Sequence, residues 1–472
     1  MIPDEIKKHR PKGSEIHAIG GRYYAYKTTS VWDAGKKRAK KKTLGCIGRI
    51  TVEDGFIPSK PKEISGPVTV KEYGCFALFS ALVPELSDQL CEVFGKDIGQ
   101  RTYAVAMLRL MGKTTKAGIR RYYHGSWLSE KFPDLALSEN TMTSFMRILG
   151  NARSGIRELM EMRLPTSGAA VLFDGTAILS SSKTMTYACY GRSQRQQINL
   201  LYAFSQTDHA PCWYRLLPGN IADMAAFETT LKECGIRDCT VVADKGFFSK
   251  VNVSALDKAA LNYVLPLKAN TTLIDTGFTS DASTAAYDGC FEYHRRVIWH
   301  KTIALGAAGK RVHVFRDEGK RAQLELNFVR RMEADYESCD RATLEEKKTR
   351  FGLSYLYSNL DVSSHEVYLA YKARWEIEEC FDYLKNSLDL GCVYQRSNEE
   401  AEAWAFLNHL SLTMFYALYA AIAAAKLPSR WTPETVMAMA KNINRVKIGQ
   451  TWLTTEISKA DRSILEALGV IL

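Results

Sequence analysis

Two short apolar runs, each closed by an aspartate, constrain this chain more than any other feature. Ala169 to Phe173 reads AAVLF and leads into Asp174, Gly175 and Thr176; Cys239 to Ala243 reads CTVVA and leads into Asp244, Lys245 and Gly246. Runs without polar alternation are the pattern of strands covered on both faces, as at the centre of an α/β sheet. An acid at the end of such a strand, with glycine just beyond, stands at the sheet rim, where backbone and ligand approach closely. In open α/β sheets that rim is where ligands bind. Taken singly, such an aspartate also reads as a helix N-cap or a turn former.

A third acid comes from a different pattern. The stretch YLAYKARWEIEECFDYLKNSLDL reads as helix, and in it Tyr371, Arg374, Glu378 and Lys385 follow the spacing Tyr-x2-Arg-x3-Glu-x6-Lys. At about 100° per residue these positions fall at roughly 0°, −60°, −20° and −40°, so an unbroken helix holds all four on one narrow arc. A carboxylate between two cations and a phenol suits a site that holds a metal ion while gripping phosphate oxygens. Arg-x3-Glu alone also reads as an i,i+4 ion pair on a solvated face. Two strand-terminal acids elsewhere in the chain favour the more specific reading.

The FDGT at Asp174, the ADKGFFS at Asp244 and the Tyr-Arg-Glu-Lys helix resemble the three signature regions of DDE transposases of the insertion-sequence-four type, over roughly residues 165 to 415. The resemblance implies an RNase H-like fold in which Asp174, Asp244 and Glu378 are the catalytic and metal-binding acids. It implies two Mg²⁺ ions, for which Mn²⁺ can substitute, and DNA contacts from Tyr371, Arg374 and Lys385. Two-metal chemistry fits phosphodiester hydrolysis, because paired ions stabilise the attacking and the leaving oxygen together. The implied activity is cutting at the ends of a mobile element and joining the freed 3′-hydroxyls to target DNA. The alternative is a catalytically idle, transposase-derived DNA binder acting at specific sites or as a repressor.

The order of segments agrees with an α/β core. After Asp174 come apolar stretches at Gln197 to Ser205 and Cys212 to Leu217, a helical run from Ala222 to Cys234, the Asp244 strand, a short helix near Ser249 to Ala260, and a strand at Tyr263 to Leu267. Residues 270–350 alternate (FEYHRRVIW, KRVHVFR, LELNFVRRM) and read as antiparallel strands. Trp299 among them reads as a strand core residue or as a platform for an extruded base. The expected fold class is α/β: an RNase H-like core, a mixed sheet flanked by helices, interrupted by a β-rich insertion and preceded by a small β-rich module and a helical domain. The boundaries are 1–62 for the basic β-rich module, 63–163 for a helical DNA-end-binding domain, 164–269 and 356–425 for the two parts of the core, 270–355 for the insertion and 426–472 for a helical tail.

Charge points to an anionic partner. The formal net charge of the 472 residues is +11, which bears on association rather than on fold. Lys36, Lys37, Arg38, Lys40, Lys41 and Lys42 follow GRYYAYKTTSVWD, and a cationic loop of this kind contacts phosphates without reading sequence. The other reading is a solvated hairpin tip. Arg101, Arg109, Lys113, Lys116, Arg120 and Arg121 mark the helical domain as basic, which suits DNA-end recognition or plain packing. Double-stranded DNA, as terminal repeats and as target, is the expected partner, with a homodimer in the DNA complex.

The beginning MIPDEIKKHR is polar, no CxxC occurs among the eleven cysteines, and a disulfide framework or zinc cluster is not expected. The expected location is the cytoplasm of a prokaryotic cell, with the nucleoid. Ala403 to Ala425 approaches the length and apolarity of a membrane span, but Asn408, His409, Ser411 and Thr413 interrupt it. It reads as a buried core helix, with no membrane partner.

Overall fold

The computed structural model describes the chain apart from residues 1, 34–37, 60–67, 113–115, 166–167, 192–193, 222, 281–283, 307–308, 335–339 and 389–390. Lys36, Lys37, Lys113 and most of the expected 58–69 linker therefore lie outside the described residues. Two compact units result, one of Met1–Thr69 with Lys447–Trp452 and one of Val70–Val446 with Leu453–Leu472.

The smaller unit is built on an antiparallel sheet of strands Ser14–Ile19, Arg22–Asp33, Arg38–Thr51 and Gly55–Pro58, in that order. Its core is small: Ile6, Ala25 and Ile50, with Ile16, Tyr23 and Phe56 packed around them. Gly48 is required by close approach, because a Cβ there would stand 2.2 Å from the Ile57 carbonyl oxygen.

The larger unit is organised around an eleven-stranded mixed sheet. Strands Ala170–Ser180, Gln196–Ser205 and Ala210–Pro218 form an antiparallel meander. Strand Thr240–Ala243 then pairs parallel with the first of them, and Asn262–Pro266 parallel with that. Helices Asp223–Cys234 and Lys250–Lys258 lie between these strands in the chain. Strands Gly289–Tyr293, Arg296–Leu305, Lys310–Asp317 and Leu353–Ser358 continue the same sheet, entering through the antiparallel pairing of Leu353–Ser358 with Asn262–Pro266.

One expected strand is a helix. LELNFVRRM lies in helix Glu318–Ala334. Its alternation at Leu324, Leu326 and Phe328 fails because Leu326 is exposed while Phe328 is buried, and the covered positions recur at three- and four-residue steps. Tail residues 426–472 hold helices Pro433–Lys441 and Lys459–Ala467, but also short strands Asn444–Ile448 and Thr451–Thr454 where only helix was expected.

Helix Asn398–Ala424 is long and apolar enough to cross a membrane by composition alone. It is instead the centre of the larger unit's core. Ala401 to Leu412 are buried apart from a single partly covered position, and Asn408, His409 and Ser411 each bond within the core. Asn408 accepts from the Arg109 guanidinium at 2.8 and 3.0 Å, Ser411 donates to the Ala106 carbonyl at 2.8 Å, and His409 Nδ1 lies 2.6 Å from the Tyr202 hydroxyl. Arg109, read from sequence as part of a basic DNA-facing set, is thus a core residue. It also donates to the Leu388 carbonyl at 3.0 Å.

Candidate active site

The first acid sits inside its strand rather than at the end. Strand Ala170–Ser180 is buried on both faces through Phe173 and one-sided beyond it, which is why the apolar run stops at Asp174 although the strand continues. Asp174 pairs with Tyr202 on one neighbour. On the other side, strand Thr240–Ala243 ends in the Ala243↔Phe173 pair, and the next partner on that edge is Cys392–Val393 at Leu179 and Ser180. Parallel register then brings Asp244, one residue past Ala243, abreast of Asp174. The edge from Asp174 to Ile178 is left open for a helix.

Asp244 opens the short 3-10 turn Lys245–Phe247 but makes no side-chain cap bond, so its carboxylate is free for other partners. Phe247 is buried and meets Phe227 edge-on at 5.3 Å, while Ser249 caps the following helix through Asn252 N at 3.0 Å. The DKGFFS sequence thereby anchors the turn by its phenylalanine and its serine, and leaves the aspartate outside.

The helix carrying the third acid is broken twice. Helix Ser364–Lys372, closed at its start by the Ser363/Glu366 capping box, stops at Ala373 and Arg374; helix Trp375–Asp382 follows, and Tyr383–Ser387 is a π turn. At the first break Arg374 N bonds Tyr371 O, Glu376 N bonds Ala373 O and Ile377 N bonds Arg374 O, all at three-residue steps; at the second, Leu388 N bonds Tyr383 O at five. The chain is overwound and then underwound, so one rotation per residue does not apply. The single arc expected for all four motif residues holds for Tyr371, Arg374 and Glu378. Lys385 lies on the π turn, half-buried, and among the described residues it forms no ion pair with the three acids.

Arg374 gathers the acids. Its guanidinium donates to Asp174 Oδ2 at 2.9 Å and to Glu378 Oε1 at 2.6 Å, and stands 3.7 Å from Asp244 Oδ1. Tyr371 is half-buried, with the Arg374 guanidinium carbon 5.9 Å from its ring centre. Burial pushes the Asp174 carboxyl up to about 6, against the pull of Arg374 and of the Gly175 amide that donates to Oδ1 at 2.8 Å. Burial opposes the charge on Arg374, but Asp244 and Asp174 hold its pKa above the ordinary value.

As the side chains stand, no three His, Cys, Asp or Glu among the described residues are arranged to hold a metal ion. The donor set nevertheless fits a hard divalent cation: three carboxylates from three separate elements, already collected around one positive charge.

Sequence reading missed what lies beside and beneath the acids. Glu376 is held by His209 at 3.0 Å, and Glu376, Trp375 and Glu378 border an open cleft of about 1000 Å³. Beside Asp174 on the neighbouring strand, Tyr202 stacks on Tyr214, meets Phe381 edge-on and bonds His409. Burial drops His409 to about 3, which leaves it neutral. Trp299 lies partly buried in a strand between Cys290 and Arg316.

A mixed sheet that presents two acids abreast at an open strand edge, with a third on a helix laid against that edge, defines an α/β protein with a polyacidic site. The transposase DDE domain family matches residues 165–414, more than half of the chain, and the chain belongs to that family. No curated protein matches. Among solved structures, the chain is similar to the cryo-EM structure of piggyBac transposase synaptic complex with hairpin DNA, at 10% sequence identity over 80% of this chain and 82% of that one, with a TM-score of 0.43.

Proposed function

We propose that this transposase-family chain cuts DNA at the ends of a mobile element by metal-dependent phosphodiester hydrolysis and joins the freed 3′-hydroxyls to target DNA. The observation that carries this reading is the convergence of Asp174, Asp244 and Glu378 on one cationic group. The finer family assignment is the insertion-sequence-four type, supported by the Tyr371, Arg374, Glu378 and Lys385 spacing. An RNase H-like core is supported by a three-strand antiparallel meander followed by two parallel crossovers.

In this reading Asp174, Asp244 and Glu378 hold two Mg²⁺ ions, or Mn²⁺ in their place, which when bound stabilise charge on the attacking and leaving oxygens. Arg374, Tyr371 and Lys385 would contact DNA phosphates near the cut. Terminal repeats and target are both duplex DNA. The positive charge of the chain, including Arg38, Lys40, Lys41 and Lys42 and, beyond the described residues, Lys36 and Lys37, supports that partner. A homodimer on DNA and a nucleoid-associated place in the prokaryotic cytoplasm complete the proposal.

The test is cleavage of element-end DNA with Mg²⁺ by Asp174→Ala, Asp244→Ala and Glu378→Ala. Each change is expected to reduce the rate by about 10²-fold or more. Undiminished cleavage in all three rejects the reading. DNA binding that is indifferent to metal ions, with no nicking by the parent chain in any divalent cation, establishes the idle binder instead.

A further inference from the structure

The N-terminal sheet reaches beyond its own core. Strand Ser14–Ile19 covers its neighbour only as far as Lys27, and strand Gly55–Pro58 covers only Gly48 to Thr51 of the other. Past those limits Thr28 to Asp33 and Arg38 to Thr43 pair only with each other, in unbroken register from Thr28↔Thr43 to Asp33↔Arg38. Register shifts at Ala25/Tyr26 and Lys27/Thr28 stand at the root of this ribbon, where irregularities bend and twist a strand. Six residues at about 3.4 Å each give an arm of roughly 20 Å.

From Thr29 to Trp32 and from Arg38 to Thr43 every side chain is exposed, Val31 at 49% and Trp32 at 66%. A two-stranded ribbon alone is marginal in water, and a partner laid along this arm would add to its order. Its two faces differ in charge, because directly paired residues share a face. Thr29, Val31, Asp33, Arg38, Lys40 and Lys42 lie on one; Thr28, Ser30, Trp32, Ala39, Lys41 and Thr43 lie on the other. Lys41 is neutralised by Glu15. Lys40 and Lys42 form no ion pair among the described residues.

We propose that this ribbon enters the major groove of duplex DNA with the Arg38, Lys40 and Lys42 face toward the base edges, and so reads sequence. The inference rests on the DNA-acting function proposed above and departs from a cationic tip that only grips phosphates. Strands about 4.8 Å apart, with their side chains, match a groove about 12 Å wide, which admits a two-stranded ribbon. Arg and Lys donate to guanine O6 and N7, and the Val31 and Thr29 methyls suit a thymine methyl. Like-facing cations, one every second residue, stand about 6.8 Å apart, which corresponds to about every second base step of 3.4 Å along the groove.

The test passes the full chain through selection on a random-sequence duplex library and then replaces guanines of the enriched duplex with 7-deazaguanine. The parent chain is expected to enrich a guanine-containing motif and to lose roughly tenfold or more in affinity on the substituted duplex. A variant with Arg38→Gln, Lys40→Gln and Lys42→Gln is expected to lose the preference while still binding unselected duplex; Lys41→Gln keeps it. A parent chain that enriches no sequence, an enriched duplex indifferent to 7-deazaguanine, or a triple variant with unchanged preference overturns the ribbon proposal and leaves the transposase reading standing. A parent chain that binds no duplex at all overturns both.

Discussion

Arg374 Nη1 donates to Asp174 Oδ2 at 2.9 Å, linking the break between two helices to the central strand two hundred residues earlier in the chain. The same guanidinium reaches Asp244 and Glu378. Three carboxylates in one place repel each other, and a cation among them offsets that repulsion. In the proposed active state divalent ions would take the place that Arg374 holds among the acids, and the two would compete for them.

That competition predicts the behaviour of Arg374→Gln. Without metal the variant is expected to be less stable by about 1–3 kcal/mol, between the limits for exposed and buried pairs, since Asp174 and Arg374 are largely covered while Glu378 is not. Added Mg²⁺ is expected to raise its melting temperature more than it raises that of the parent chain. Thermal melts with and without metal decide the matter; equal metal shifts in the two proteins reject the idea.

Lys385 is expected to behave differently, because it stands on the π turn and apart from the acids. Lys385→Gln should leave the melting temperature within the small range typical of surface changes. It should weaken binding to element-end DNA by about two- to tenfold and lower the salt slope by about one. Titrations at several salt concentrations measure both. A large loss of stability with unchanged binding would assign the lysine to packing.

The contrast between these residues shows what the sequence reveals and what it hides. Asp174 and Asp244 were legible because an apolar run must stop where burial stops, and glycine follows each. Their abreast placement was not, since it depends on the Phe173↔Ala243 register. Tyr371, Arg374 and Glu378 kept their arc across the first break, where tightened three-residue bonds cost little rotation. A five-residue bond adds a residue to the turn, and no side-chain pattern announces it, so the π turn that carries Lys385 was not legible. The helix Glu318–Ala334 was hidden by a chance alternation of three apolar residues. Tyr202 and His409 gave no signal, being polar groups that meet only through tertiary packing.

Close helix packing makes a sharper prediction at Gly150. It lies on helix Glu139–Asn151, and a Cβ there would stand 1.8 Å from the Glu399 carbonyl oxygen, in the first turn of the central helix. Backbone cannot yield as a flexible side chain does. Gly150→Ala is expected to cost about 1–3 kcal/mol through forced separation of the two helices. Denaturant unfolding should show the loss in midpoint, and Asn151→Ala, one residue on and exposed, serves as the control. Equal midpoints for the two variants would mean the helices have room to move apart.

The buried histidine bonded to Tyr202 sets a pH dependence with a definite sign. Burial holds His409 at about 3, against an ordinary value of 6.5, and puts His313 at about 4 for the same reason. Between those values and 6.5 the unfolded chain binds protons that the native chain does not, so native stability is full above about 6.5 and falls as the pH drops. Each histidine contributes a slope of roughly 1.4 kcal/mol per pH unit within its window. His409→Leu removes one of these contributions and also strips the Tyr202 hydroxyl of its partner. The variant is therefore expected to be less stable than the parent at pH 7.5, with a gap that narrows as the pH falls from 6.5 toward 4.5. Unfolding free energies across that range measure the gap; a difference that stays constant with pH would show that His409 takes up a proton in the native chain as readily as in the unfolded one.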